Sequence, residues 1–152
     1  MFAFEASGTV PGKTSGAELD RTPGGEPVPA VLWVPDEDLR LLLRGILTLQ
    51  RYPVALELSS AEALRRWEPP GVALLVVDSV SGADRWRDEL REALRTRPEL
   101  RAVVLLPRDH AELRREAEEL GARATLVRPF AVREFVAAVR EALHGPGPGD
   151  RH

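Results

Sequence analysis

Asp78 closes the apolar run Val72–Val77 and opens the turn Asp78-Ser79-Val80-Ser81-Gly82. A carboxylate so placed can act as a nucleophile and hold a phosphoryl group as an aspartyl phosphate. Phosphoryl transfer depends on in-line positioning and charge neutralisation more than on covalent help. Magnesium supplies such neutralisation and takes oxygen ligands, one or two carboxylates among them. The acids after the run Val31–Val34 are Asp36, Glu37 and Asp38. Asp36 and Glu37, with Asp78 and the Val80 carbonyl, could furnish a weak Mg2+ site. Arg128 follows Leu126-Val127, and Arg108 follows Pro107 at the end of another apolar run. A guanidinium grips a carboxylate or phosphate through a planar fork. Either arginine could therefore pair with Asp78 and hold the pocket in one state, without phosphate or metal. The plainer readings are that Asp78 caps its turn and that both arginines reach solvent.

Each of these residues stands at the end of an apolar run, and the runs must bring them together. Runs this apolar read as strands of a parallel sheet covered on both faces. In such sheets ligands gather beyond the carboxyl ends of the strands. From Ala30 onward strand and helix alternate. The strands are Val31–Val34, Val54–Leu58, Val72–Val77, Ala102–Leu106 and Ala124–Val127. Helix one runs from Glu37 to Gln50, with Leu39, Leu42, Leu43, Ile46 and Leu49 on one face. Helix two starts at the capping box Ser59-Ser60-Ala61-Glu62 and ends at Glu68-Pro69-Pro70-Gly71. Helix three spans Ala83 to Thr96, with Trp86, Leu90, Ala93 and Leu94 facing inward. Helix four begins near Asp109 and closes at Gly121. Helix five uses Val132, Phe135, Val136, Val139 and Leu143, and Gly145 stops it. Such alternation gives an α/β fold, a parallel sheet with right-handed crossovers.

The order and spacing resemble the receiver domain of two-component response regulators, the CheY-like family, over about Ala30 to Leu143. Asp38 to Leu64 fits the family's first helix, second strand and second helix without a gap. GARATLVRPF, Gly121 to Phe130, fits its glycine-alanine turn, fifth strand and Lys-Pro-Phe signature. The resemblance implies a doubly wound, flavodoxin-like five-stranded sheet of order 2-1-3-4-5 with five helices. It also implies that Asp78 stands at the phosphoacceptor position and that the Arg128-Pro129 bond is cis, an isomer adopted at modest cost only before proline.

The departures from the family pattern are specific. Pro35 and Asp36 stand where the family has two adjacent acids, and a shifted pairing offers Asp36 and Glu37. Pro107 occupies the Ser/Thr position that contacts the phosphoryl group, with Arg108 beside it. Arg128 replaces the family lysine, and Thr125 replaces the aromatic switch residue. Pro107 has neither a hydroxyl nor a backbone N–H, and Thr125 has no ring to swing. A signal with no bistable element to bias does not propagate in the usual way. This resembles a degenerate receiver, or pseudo-receiver.

Length and composition bound the rest. A chain of 152 residues with 43% hydrophobic content suits one domain with an ample core. Residues 1–29 hold four prolines and five glycines and read as a flexible arm; 30–144 form the receiver-like domain, and 145–152 a disordered tail. A net charge of −3 argues against nonspecific nucleic-acid binding, and no helix-turn-helix segment follows helix five. There is no cysteine, hence no disulfide frame and no thiolate chemistry. No apolar stretch approaches the ~20 residues that cross a bilayer. Met1–Gly8 lacks a signal-peptide pattern, so a cytoplasmic location is expected. Gly8–Thr14 mimics a phosphate-binding loop but has three residues between its glycines where the motif needs four. His110, His144 and His152 lack metal spacing. Trp33, Trp67 and Trp86 are scattered and read as packing residues.

The expected function is that of an atypical single-domain receiver in two-component signal transduction. It would be no enzyme but a phosphorylation-independent protein-interaction module, with no cofactor or at most weak Mg2+. The partner would be a histidine kinase or a downstream signalling protein, and homodimerisation stays open. Receivers commonly use the face of helix four, strand five and helix five, which here offers Arg114, Arg115, Glu118, Thr125, Arg133 and Arg140. The plain alternative is an ordinary solvated surface. A competing function is that of an active phosphorelay receiver, phosphorylated on Asp78 by a histidine kinase. A small-molecule-binding or catalytic domain has least support, since no glycine-rich loop follows strand one and no nucleophile–base pair is visible.

Overall fold

Residues 27–58, 61–69, 71–79 and 85–145 are described by a computed structural model of the chain, residues 61–63 through their backbone alone. The phosphate-loop mimic, the serines of the expected capping box, the Val80 carbonyl, the start expected for helix three and the C-terminal tail lie outside the described residues.

Among the described residues ten elements alternate: β1 Ala30–Trp33, α1 Glu37–Leu49, β2 Val54–Glu57, α2 Ala61–Arg66, β3 Ala73–Asp78, α3 Trp86–Thr96, β4 Leu100–Leu106, α4 Ala111–Leu120, β5 Ala124–Val127 and α5 Val132–His144. The strands form one parallel sheet of order β2-β1-β3-β4-β5. This is the expected 2-1-3-4-5 order. β1 and β3 are buried along their whole length, as strands covered on both faces must be. Alternate side chains feed two cores. Leu32, Leu74, Val76, Val103 and Leu105 pack with Leu43, Ile46 and Leu47 of α1 and Phe135, Val139 and Ala142 of α5. Val31, Trp33, Leu75, Val77, Val104 and Leu106 pack with Leu64, Trp86, Leu90 and Ala117 of α2, α3 and α4. The first core also takes in Val28, which is 2% exposed and lies two residues ahead of Ala30, where the sequence reading began the domain.

Register sets the site. Asp78 pairs with Leu105, and Leu106 pairs with Val127. The last residue of β3 and the residues just after β4 and β5 therefore finish at one end of the sheet.

α1 corrects one expectation. Leu43, Ile46 and Leu47 face the sheet, while Leu42 and Leu49 do not: they are 52% and 82% exposed. Residues 39, 43, 46, 47 and 50 follow the i, i+4, i+7, i+8 and i+11 spacing of a sheet-facing stripe. The expected stripe through 42 and 49 lies a sixth of a turn or more away from its centre. α4 starts at Ala111, later than the expected Asp109. Its N-cap is His110, whose Nδ1 accepts from the Leu113 N–H at 3.1 Å. Its C-cap is Gly121 at φ 114°, a conformation natural to glycine. Trp33 and Trp86 are buried packing residues, as expected.

Candidate functional site

Among the described residues Asp78 is the charged residue that is buried, to 0% exposure. Arg128 answers it from the residue after β5. Its Nη1 lies 3.2 Å from Asp78 Oδ2 and its Nη2 donates to Oδ1 at 3.5 Å. The backbone fixes both ends: Ser79 N–H donates to the Leu105 carbonyl and Arg128 N–H to the Leu106 carbonyl, each at 2.9 Å. The guanidinium thus reaches over the end of β4 to its partner on β3. A carboxylate withdrawn from water this completely is strongly unfavourable unless a cation or donors meet it, and Arg128, with its side chain 26% exposed, does so while keeping an edge in water. The Arg128-Pro129 bond is cis. Arg108, the other candidate, is exposed and borders a separate cleft of about 620 Å³ with Arg87, His110 and Glu116.

The acids after β1 do other work. Asp36 is the N-cap of α1, its Oδ1 accepting from the Leu39 N–H at 3.0 Å. Glu37 lies exposed in the first helical turn, where negative charge suits the helix dipole. Among the described residues no three of His, Cys, Asp and Glu gather closely enough to hold a metal ion. Asp36, Glu37 and Asp78 are thus not assembled as the expected weak Mg2+ site. The short loop after β1 turns one carboxylate into a cap, and Arg128 supplies the positive charge at the other. With one carboxylate capping a helix and another paired with a guanidinium, these residues do not fit a divalent cation.

Pro107 is exposed. With Arg128, Pro129, Phe130, Leu39 and Leu42 it lines an open groove of about 450 Å³, and Phe130 stacks on Phe135 with ring centroids 6.0 Å apart. α4, β5 and α5 adjoin at the β5 edge of the sheet. On them Arg115, Glu118, Arg133 and Arg140 are exposed, Thr125 and Arg114 are half-buried, and Arg114 pairs with Asp109 at 3.0 Å.

Two polar devices carry no local sequence signal. Arg97, after α3, donates from Nε to the Trp67 carbonyl at 2.6 Å and from Nη2 to the Arg65 carbonyl, so it closes the end of α2 from thirty residues away. Arg65 in turn pairs with Glu89 of α3. The hydrogen bonds from Arg65 hold the Glu89 carboxyl below its ordinary 4.5, against a smaller opposing effect of burial. Both pairings cross between elements, so only spacing in three dimensions reveals them. His110 as a cap lies outside the usual Ser, Thr, Asp or Asn signature.

The sequence matches no protein-family model and no curated protein. Its fold matches solved structures over about three quarters of the chain. A CheY-like response regulator receiver domain protein from Methanospirillum hungatei is 17% identical with a TM-score of 0.65, over 76% of this chain and 93% of that one. A response regulator from Thermotoga maritima is 18% identical with a TM-score of 0.65, over 76% and 97%. A response regulator protein from Burkholderia pseudomallei, solved with a phosphorylated aspartic acid, calcium ion and citrate, is 20% identical with a TM-score of 0.65, over 76% and 69%. At these identities the likeness is one of fold, and the fold is that of response regulator receiver domains. Among the described residues no helix is long and apolar enough to cross a membrane.

Proposed function

We propose that this receiver-fold chain is a signalling module of the two-component type that acts by binding protein without being phosphorylated. The observation that carries this reading is the buried Asp78–Arg128 pair. An aspartyl phosphate forms when a carboxylate oxygen attacks phosphorus in line, and a carboxylate at 0% exposure offers no open face for that approach. The added group would bring about −1.5 to −2 charges into a place where one guanidinium already balances one carboxylate. With Pro107 and Thr125 at the two positions where receivers carry a hydroxyl and an aromatic switch, the pair keeps the end of the sheet in one state. The face of α4, β5 and α5 is then presented constitutively, with Arg114, Arg115, Glu118, Thr125, Arg133 and Arg140 as its contacts. The partner is a histidine kinase or a downstream signalling protein, and the setting is the cytoplasm.

The test is intact mass after incubation with acetyl phosphate and Mg2+, with Asp78→Asn as control. No gain is expected under conditions that modify an ordinary receiver. A gain of one phosphoryl group, absent in the control, overturns the reading and makes the chain a phosphorelay receiver. That second reading draws on the position of Asp78 at the end of β3, where the Burkholderia protein of similar fold makes it relevant that a receiver can hold a phosphorylated aspartic acid.

A further inference from the structure

Among the described residues, the open groove of about 450 Å³ beside the Asp78–Arg128 pair has one polar side chain in its lining, that of Arg128. Its other walls, Leu39, Leu42, Pro107, Pro129 and Phe130, come from the start of α1 and from the residues just after β4 and β5. The two prolines bring no N–H, so the guanidinium is the groove's strong donor. A mostly apolar concavity of about 300–1,000 Å³ with few convergent polar groups is the usual form of a small-molecule site.

The guanidinium has more donors than Asp78 uses. It carries five N–H groups in a planar fork. Nη1 and Nη2 face the Asp78 carboxylate at 3.2 and 3.5 Å, so the carboxylate meets the end of the fork. Nε–H and the N–H beside it on one Nη form a second edge of the same shape, and no acceptor among the described residues meets that edge. Asp78 is fully buried while the Arg128 side chain is 26% exposed, so the exposed share lies away from the paired end. The fork is also held ready. Arg128 N–H donates to the Leu106 carbonyl at 2.9 Å, Asp78 fixes the guanidinium, and Phe130 is stacked on buried Phe135. A preformed site leaves less ordering for a ligand to offset.

We propose that this groove binds a small organic carboxylate with an apolar body. Its two oxygens accept from the free edge of Arg128, and its body lies between Leu42 and Phe130. Charge selects this class. A cation would meet a cation. A neutral apolar molecule would cover the fork and leave its donors unmet, which is costly. A carboxylate takes both donors in charge-assisted bonds about twice as strong as neutral ones. Asp78 opposes a second anion, but the two carboxylates lie on different edges of the guanidinium. The ligand's outer face stays in water at the groove mouth, where like-charge repulsion is weak. Asp78 is then a positioning residue for the fork. The site adds a ligand to the protein-binding reading and does not rest on it.

Amide NMR spectra of the full chain, titrated to about 5 mM ligand, test this with three probes: naphthoate, its neutral analogue naphthalenemethanol, and acetate, which has no apolar body. Naphthoate binds with a Kd on the order of 0.1–1 mM and shifts the amide signals of Leu39, Leu42, Arg128 and Phe130. Naphthalenemethanol and acetate each bind at least about tenfold more weakly. Leu42 is 52% exposed, so Leu42→Glu leaves the core alone, and it weakens naphthoate at least about tenfold by adding a like charge to the wall. Arg128→Lys keeps the cation beside Asp78 but loses the second edge of the fork, and weakens naphthoate as well. Absence of naphthoate binding overturns the proposal. So does equal binding of the neutral analogue, or binding indifferent to Leu42→Glu or to a folded Arg128→Lys variant. Shifts centred on His110 and Leu113 overturn it too, because they place the ligand in the cleft beside α4.

Discussion

Arg128 and Asp78 are fifty residues apart in sequence, one just past β5 and the other at the end of β3, strands that are not neighbours, yet they form an ion pair of 3.2 Å at the common end of β3, β4 and β5. The two partners differ in their access to water. Asp78 has none, while the Arg128 side chain is 26% exposed.

That difference makes the two deletions unequal. Arg128→Met removes the cation facing a carboxylate buried in the sheet, and breaking a buried pair in this way costs about 3–5 kcal/mol. Asp78→Asn leaves a guanidinium that can turn to solvent and a neutral amide in the pocket, at a cost of about 1 kcal/mol. Urea midpoints at neutral pH, with unchanged denaturant slopes, should rank the wild type above Asp78→Asn and Asp78→Asn above Arg128→Met. Equal losses would mean that the pair adds nothing beyond packing.

How much of this was legible in the sequence depended on how local each cause is. β1 and β3 declared themselves because both of their faces are covered, so each run is apolar throughout. The stripe on α1 did not, because leucines fall on both sides of that helix and only the position of the sheet decides between Leu47 and Leu49. Asp36 carries a local signal of its capping role, an aspartate just ahead of an apolar helix. Arg97 had no local signal, since its targets on α2 are thirty and thirty-two residues away. The likeness to receivers favours Arg128 over Arg108 as the neighbour of Asp78, and it is the Arg128 guanidinium that lies 3.2 Å from that carboxylate.

The cap at Asp36 has its own test. Asp36→Ala removes the acceptor of the Leu39 N–H and should cost about 1 kcal/mol, with Asp36→Ser recovering most of it. Millimolar Mg2+ should leave the melting temperature of the wild type and of both variants unchanged. A Mg2+-dependent rise in the wild type that disappears in Asp36→Ala would show that this carboxylate binds metal after all.

The Arg65–Glu89 pair predicts a pH dependence. Because the hydrogen bonds from Arg65 depress the Glu89 carboxyl below 4.5 in the folded chain, the stability it contributes is complete above that value. It is lost as pH falls below 4.5 and through the folded-state value. Glu89→Gln should therefore be less stable than the wild type at neutral pH, with the gap closing under acid. Urea midpoints followed from neutral pH down through this window give the curve. Glu92→Gln serves as the contrast: Arg95 lowers the Glu92 carboxyl as well, but the pair is fully exposed, and such pairs add little to stability. A gap at Glu89 that stays constant with pH would mean that the pair acts through shape alone.

Gly121 ends α4 and hands the chain to β5, so it sets where the α4 surface stands relative to Thr125. Its φ of 114° and its closeness to α3 are separate constraints, since an added Cβ would lie 2.9 Å from Leu94 Cδ1. Gly121→Ala should cost about 1–2 kcal/mol from the backbone alone, and more from the contact. The Leu94 side chain can give way, so the two parts can be divided. In a Leu94→Ala background the contact disappears while the backbone penalty remains. A double-mutant cycle should then show Gly121→Ala costing less than in the wild type, but still about 1 kcal/mol or more. Full additivity would assign the whole loss to φ, and a loss abolished by Leu94→Ala would assign it to the contact between α3 and the α4–β5 turn.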